Sequence, residues 1–98
     1  MEPAKKEFVK EVVIVNELGL HARSAAQIAS LARQAKSNVW IFKGDQRVDA
    51  TSIIDILTLA AARGTKIILK VNDGGDLEIL ETIVALVENG FGEQSRHE

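Results

Sequence analysis

The chain has 98 residues, of which 46% are hydrophobic and 27% charged, with a formal net charge of −2 and no cysteine. That length suits one compact domain rather than two, and that composition supports a core rather than disorder. The balanced charge, without a basic stripe, argues against nucleic acid as a partner, and the absence of cysteine excludes disulfides and thiolate metal sites.

Residues 1–7 read as a loose extension that holds the sole proline, Pro3, and residues 94–98 read as a loose polar end. The start lacks the apolar stretch and cleavage-like site of a secretory signal. No apolar run is long enough to span a membrane. A cytoplasmic protein is expected, with one domain over residues 1–98 and a core over residues 8–93.

Phe8 to Val15 is rich in valine and isoleucine and reads as a strand. Asn16, Glu17 and Gly19 break it as a loop would. From Arg23 to Lys36, Ile28, Leu31, Ala32 and Ala35 recur at helical spacing, with Gln27, Ser30 and Gln34 opposite them. Asn38 to Lys43 and Gln46 to Ala50 form a hairpin around Gly44-Asp45. Within it Val39 and Ile41 share one face and Trp40 and Phe42 the other, so one pair is expected to be partly exposed.

Ser52 to Arg63 reads as a helix, or as a short helix with an irregular tail, closed by Gly64. Ser52 and Asp55 resemble a capping box. Lys66 to Asn72 alternates, with Ile67, Leu69 and Val71 on one face. Asp76 is expected to cap a last helix with Leu80, Ile83, Val84 and Val87 as its buried stripe, stopped by Asn89-Gly90. The order β-α-β-β-α-β-α predicts an α+β fold, a mainly antiparallel sheet with helices on one face.

Chemistry concentrates where the first strand hands over to the first helix, at Gly19-Leu20-His21-Ala22-Arg23-Ser24. The first turn of a helix carries amides without intrahelical partners and a partial positive charge, which makes an anion site. Here those amides belong to Ala22, Arg23 and Ser24. An imidazole is a competent nucleophile near neutral pH. A phosphoryl group on His21 would meet the helix amides and the Arg23 guanidinium, which binds phosphate oxygens through charge-assisted bonds. No second acid, base or metal ligand lies nearby in sequence, which suits a carrier better than a hydrolase. A lone histidine before a helix is ordinarily a surface or cap residue, so this motif alone does not decide the function. His97, in the polar end, is expected to be inert.

Asn16-Glu17-Leu18-Gly19-Leu20-His21-Ala22-Arg23 followed by Ala25-Ala26 resembles the active-site segment of the HPr family. These are the histidine-containing phosphocarriers of the bacterial phosphoenolpyruvate-dependent sugar phosphotransferase system. Val48 to Ile54, Ala61 to Thr65 and Asn89 to Glu93 are similar to its later signatures, so the likeness runs from Phe8 to Glu93. The resemblance implies an open-faced β-sandwich, with a four-stranded antiparallel sheet and three helices on one face. It implies that His21 is phosphorylated at Nδ1 and that Arg23 contacts the phosphate.

Phospho-Enzyme I is the implied donor and the sugar-specific IIA components are the implied acceptors. Magnesium and phosphoenolpyruvate would be used by Enzyme I, so the chain itself is expected to be a monomeric carrier, not an enzyme, with no bound cofactor or metal. Ser52 matches the serine modified by HPr kinase/phosphorylase, although serine is also a common N-cap for stability alone. Ile53, Ile54 and Leu57 match a partner-docking patch, while Ile56 and Leu59 compete for burial on the same helix. A nitrogen-branch phosphocarrier and a non-transferring regulatory module governed by Ser52 are the alternatives. Ser24 stands where the family most often has proline, and a looser helix start is expected from it. Asp55 stands where many relatives have lysine or glycine.

Overall fold

A computed structural model of the chain describes residues 8–93. The expected loose ends at residues 1–7 and 94–98, and His97 with them, lie outside the described residues. The elements run β1 (Phe8–Val13), α1 (Ala22–Ala32), β2 (Val39–Lys43), β3 (Gln46–Asp49), α2 (Ile53–Leu57), β4 (Lys66–Val71) and α3 (Leu77–Glu88). Short 3-10 turns at Gly74–Asp76 and Gly90–Gly92 flank α3.

The strands form one antiparallel sheet in the order β1-β4-β2-β3. Ile41 sits opposite both Val48 and Leu69, and Val12 sits opposite Ile67. The two-residue period therefore sends one apolar row inward, and Val12, Val39, Ile41, Val48, Ile67, Leu69 and Val71 are all buried. The helices meet that row with Ala25, Ile28, Ala29 and Ala32 of α1, Ile56 of α2, and Leu80, Ile83 and Val87 of α3. Each fully buried isoleucine or leucine contributes about 1.5–3 kcal/mol relative to an exposed one. The outer face keeps Trp40 and Phe42 half-buried, with the Arg47 guanidinium 4.2 Å above the Trp40 ring. The result is the expected open-faced α+β sandwich.

Several boundaries differ from the sequence reading. β1 leaves its ladder after Val13, although Ile14 still exchanges hydrogen bonds with Thr65 and Gly64 at 2.9 and 2.7 Å. The other strands are likewise a residue shorter at one end than expected. The region 52–63 takes the short-helix form: α2 is five residues long, and an irregular tail follows it. Gln27 is half-buried rather than on a solvent face, and Val84 is half-buried rather than part of the buried stripe.

The largest difference is at the end of α1, which stops at Ala32 instead of Lys36. The Gln34 and Ala35 amides turn to the Leu31 and Ala32 carbonyls, three residues back at 3.0 and 3.1 Å, and the next two amides are taken by Asp76. It occupies the N-cap position of α3 but makes no side-chain cap hydrogen bond there. Its buried carboxylate instead accepts from the Lys36 and Ser37 amides at 2.8 and 3.0 Å and from the Ser37 hydroxyl at 3.0 Å. A buried carboxylate needs such partners, and amides so engaged are not available to continue a helix. Burial alone would push the Asp76 carboxyl up. The two amides, the hydroxyl and the Lys36 charge outweigh that and hold it below its ordinary value.

Candidate functional site

His21 is the N-cap of α1, with extended backbone ahead of the first turn. The first intrahelical bond runs from the Ala25 amide to the His21 carbonyl at 2.8 Å, so the amides of Ala22, Arg23 and Ser24 have no intrahelical acceptor. The Arg23 amide faces His21 Nδ1 at 3.3 Å. An amide N–H faces a ring nitrogen only if that nitrogen carries a lone pair, so Nδ1 is the acceptor and the ring proton lies on Nε2.

Nε2 in turn donates to Glu93 Oε2 at 2.6 Å. Glu93 is 72 residues away in sequence. Its other oxygen accepts from Asn16 Nδ2 at 3.1 Å, and the same Asn16 amide group donates to the Gly19 carbonyl at 2.9 Å. The His21 side chain is 29% exposed and that of Glu93 17%. The hydrogen bond from His21 holds the Glu93 carboxyl below its ordinary value. Partial burial opposes this, while Asn16 and the charges of His21 and Arg23 reinforce it.

The backbone of His21 is held as firmly as its ring. Ser24 Oγ accepts from the His21 amide at 2.9 Å, and its one proton has the Gly19 and His21 carbonyls as acceptors, each at 3.1 Å. His21 and Ser24 thus form a reciprocal capping box. Where a proline ring would restrain this turn through φ, the Ser24 hydroxyl ties it by hydrogen bonds instead.

Two distant segments shape the loop ahead of His21. Gly19 has φ +66°, and a β-carbon there would lie 2.5 Å from the Ala61 carbonyl oxygen, so only glycine fits. Leu20 donates to that same carbonyl at 2.9 Å, which ties the loop to the irregular tail of α2. The C-terminal turn brings Glu93 in. Gly90, Phe91 and Gly92 all have positive φ, and the Phe91 side chain is buried as its anchor. A non-glycine residue in that conformation is strained, and here the strain sits beside the candidate site.

His21 and Arg23 line one cleft together with Leu18, Ala22, Gly92 and Glu93. Ser52, Ile53, Ile54 and Leu57 do not line it. Ser52 is the N-cap of α2, and its hydroxyl accepts from the Asp55 amide at 3.1 Å, which is the serine half of the expected capping box. Ile54 is 74% exposed and Leu57 37%, whereas Ile53 is half-buried and Ile56 and Leu59 are buried. Among the described residues no cluster of histidine, cysteine, aspartate or glutamate could hold a metal ion, and no helix is long and apolar enough to cross a membrane.

Sequence reading missed Glu93, Asn16 and Leu18. An acid distant in sequence nevertheless stands beside His21, because the C-terminal turn folds Glu93 onto the imidazole. The signal was present in Gly90-Phe91-Gly92, a turn that aims the next residue, but nothing in the spacing told where it aims. Leu18 is 68% exposed beside His21, an unusual place for a leucine in a polar loop.

Fold and site together define a small α+β domain that presents His21 at the N-terminus of α1, with Nδ1 facing a first-turn amide. The chain belongs to the HPr family of phosphotransferase-system phosphocarriers: residues 8–89 match the family described as "PTS HPr component phosphorylation site". It is 39% identical over 84 residues to phosphocarrier protein HPr of Neisseria meningitidis, covering 86% of this chain and 94% of that protein. Phosphocarrier protein NPr of Shewanella violacea is 37% identical over 87 residues, covering 88% and 94%. Among solved structures, HPr of Thermoanaerobacter tengcongensis superposes with a TM-score of 0.79 at 35% identity, covering 92% of this chain and 99% of that one.

Proposed function

We propose that this chain accepts a phosphoryl group on His21 Nδ1 from phospho-Enzyme I and passes it to sugar-specific IIA components. The observation that carries the reading is the orientation of the imidazole. Nε2 is engaged by Glu93, and Nδ1 turns its lone pair toward the first turn of α1, where it accepts from the Arg23 amide. An incoming phosphoryl group bonds to that lone pair, and its oxygens replace Nδ1 as acceptors for the amides. Arg23 shares the cleft and neutralises part of the phosphate charge. The carrier needs no cofactor of its own, since magnesium and phosphoenolpyruvate act on Enzyme I.

Ser52 is read as a second, regulatory phosphorylation site for an HPr kinase/phosphorylase. A phosphate on an N-cap is electrostatically tolerated. Ile53, Ile54 and Leu57 are read as the docking patch for these partners, acting with the chain as a monomer. The likeness to an NPr supports a second reading, in which the same histidine serves the nitrogen branch.

The test is incubation with Enzyme I, magnesium and phosphoenolpyruvate. An acid-labile phosphate that is absent in His21→Ala is expected, and its transfer to a sugar IIA component follows. Labelling only by the nitrogen-branch Enzyme I would assign the chain to that branch. No labelling by either would leave a non-transferring module controlled at Ser52.

A further inference from the structure

Arg33 links the end of α1 to the mouth of α2. It is the C-cap of α1, and its exposed side chain donates through Nη2 to the Thr51 carbonyl at 3.1 Å. The carbon of that carbonyl is bonded to the nitrogen of Ser52, the N-cap of α2, so the guanidinium stands one peptide unit from the serine. A guanidinium carries a planar fork of N–H donors, and the Thr51 carbonyl occupies only one of them. Among the described residues no carboxylate forms an ion pair with Arg33.

We propose that Arg33 is the internal binding partner of a phosphate on Ser52, holding it against the chain between the end of α1 and the mouth of α2. The inference rests on the regulatory reading of Ser52 above. In that modification Ser52 Oγ bonds to the γ-phosphorus of ATP. The bond from that phosphorus to the β-phosphate oxygen breaks, ADP leaves with the electron pair, and the hydroxyl proton is released to water. The product carries a charge of about −1.5 to −2.

The rest of the neighbourhood opposes such a charge. Asp49 accepts from the Ser52 amide through its backbone carbonyl at 3.1 Å, and its carboxylate accepts from the Thr51 amide and hydroxyl at 2.9 and 2.7 Å. Asp55 adds a second carboxylate in the first turn of α2. That helix is five residues long and offers a phosphate only a weak dipole. Lys43 of β2 is engaged beyond the other end of α2, where it donates to the Leu59 carbonyl at 2.8 Å. Arg33 is therefore the cation already placed beside Ser52, and a guanidinium meets phosphate oxygens through paired charge-assisted bonds. A phosphate so held is fixed in position and partly neutralised, and that is the form a partner meets.

The test places phosphoserine at position 52 of the full chain during translation, so that no kinase is needed. Wild type, Arg33→Gln and Arg33→Lys are compared. Phosphorus NMR follows the second ionisation of the phosphate. An adjacent guanidinium favours the dianion, so the midpoint in Arg33→Gln is expected about half a pH unit above that of the wild type, with Arg33→Lys between them. The difference should shrink in about 1 M salt. The phosphate is also expected to raise the melting temperature of the wild type by about 2 °C more than that of Arg33→Gln. Equal ionisation midpoints in wild type and Arg33→Gln overturn the proposal. Incubation of the unmodified chain with HPr kinase/phosphorylase and ATP, against Ser52→Ala, tests the regulatory reading separately. Absence of labelling there overturns that reading, while the ionisation midpoints still decide the Arg33 contact.

Discussion

Two helix mouths in this molecule carry the residues of interest, and they are built differently. The mouth of α1 is capped by an imidazole with both ring nitrogens engaged, by the Arg23 amide and by Glu93, while the His21 backbone amide is held by Ser24. The mouth of α2 is capped by a serine with one hydrogen bond to the next turn, beside an isoleucine that is 74% exposed. The first arrangement fixes an atom in space, as group transfer demands. The second leaves its hydroxyl and its apolar neighbour accessible, as a modifying enzyme or a docking partner demands. Rigidity and access are therefore divided between two adjacent helices of one small fold.

The sharpest way to break this contrast is to remove a strut from α1. Ser24→Ala deletes the acceptor of the His21 amide in a buried setting and is expected to destabilise the fold by about 1–3 kcal/mol. Chemical denaturation measures this directly. Ser24→Pro restores the φ restraint and should recover most of that loss. A stability change near zero in Ser24→Ala would show that the capping box does not hold the α1 mouth.

How much of this was legible beforehand follows from where each partner sits in the chain. His21, Arg23 and Ser24 are local to one helix start, and local rules of capping and anion binding identify them. Ser52 was equally legible, because an N-cap is set within one turn. Glu93 was not, since its role depends on three consecutive positive-φ residues and on the buried Phe91 that fixes their direction. Asp76 shows the same limit: its position reads as a cap, yet its carboxylate is drawn to amides 40 and 39 residues away. The sheet order is encoded in alternation and survives small errors at strand ends, whereas a side chain's partner across the fold is encoded only by packing.

A smaller effect is expected at α2. Ser52→Ala removes one cap hydrogen bond and should lower stability by about 1 kcal/mol, measured by the same denaturation. Phosphorylation of Ser52 is expected to leave the fold intact and to change partner affinity, because the added charge meets the helix N-terminus but also alters the docking rim. A Ser52→Ala loss as large as that of Ser24→Ala would erase the distinction between the two mouths.

Acid should separate them more gently. Glu93 has a lowered pKa in the folded state, so its contribution is present above the ordinary carboxylate value of 4.5 and fades as the pH falls through the depressed one. Protonation releases the His21 ring from its carboxylate while the Ser52 cap has nothing to titrate. Amide exchange at Ala22 to Ser24 is expected to quicken in that acid range before exchange at Ile54 and Asp55 does. Equal quickening at both mouths would mean that global acid unfolding, and not the Glu93 contact, governs the range.

The smallest expected change in stability tests the idea of access most directly. Ile54 is 74% exposed, so Ile54→Ala removes little buried area and should shift stability by less than about 0.5 kcal/mol. Ile56, two residues on, is fully buried, and the same truncation there should cost about 2–5 kcal/mol. An isoleucine left in water on a five-residue helix contributes little to folding, and a partner surface would explain its placement. Binding of Enzyme I to Ile54→Ala is therefore expected to weaken while the melting temperature stays close to wild type. A large melting loss would assign Ile54 to the core, and unchanged binding would remove it from the docking surface, leaving the exposed leucines Leu18 and Leu57 to test next.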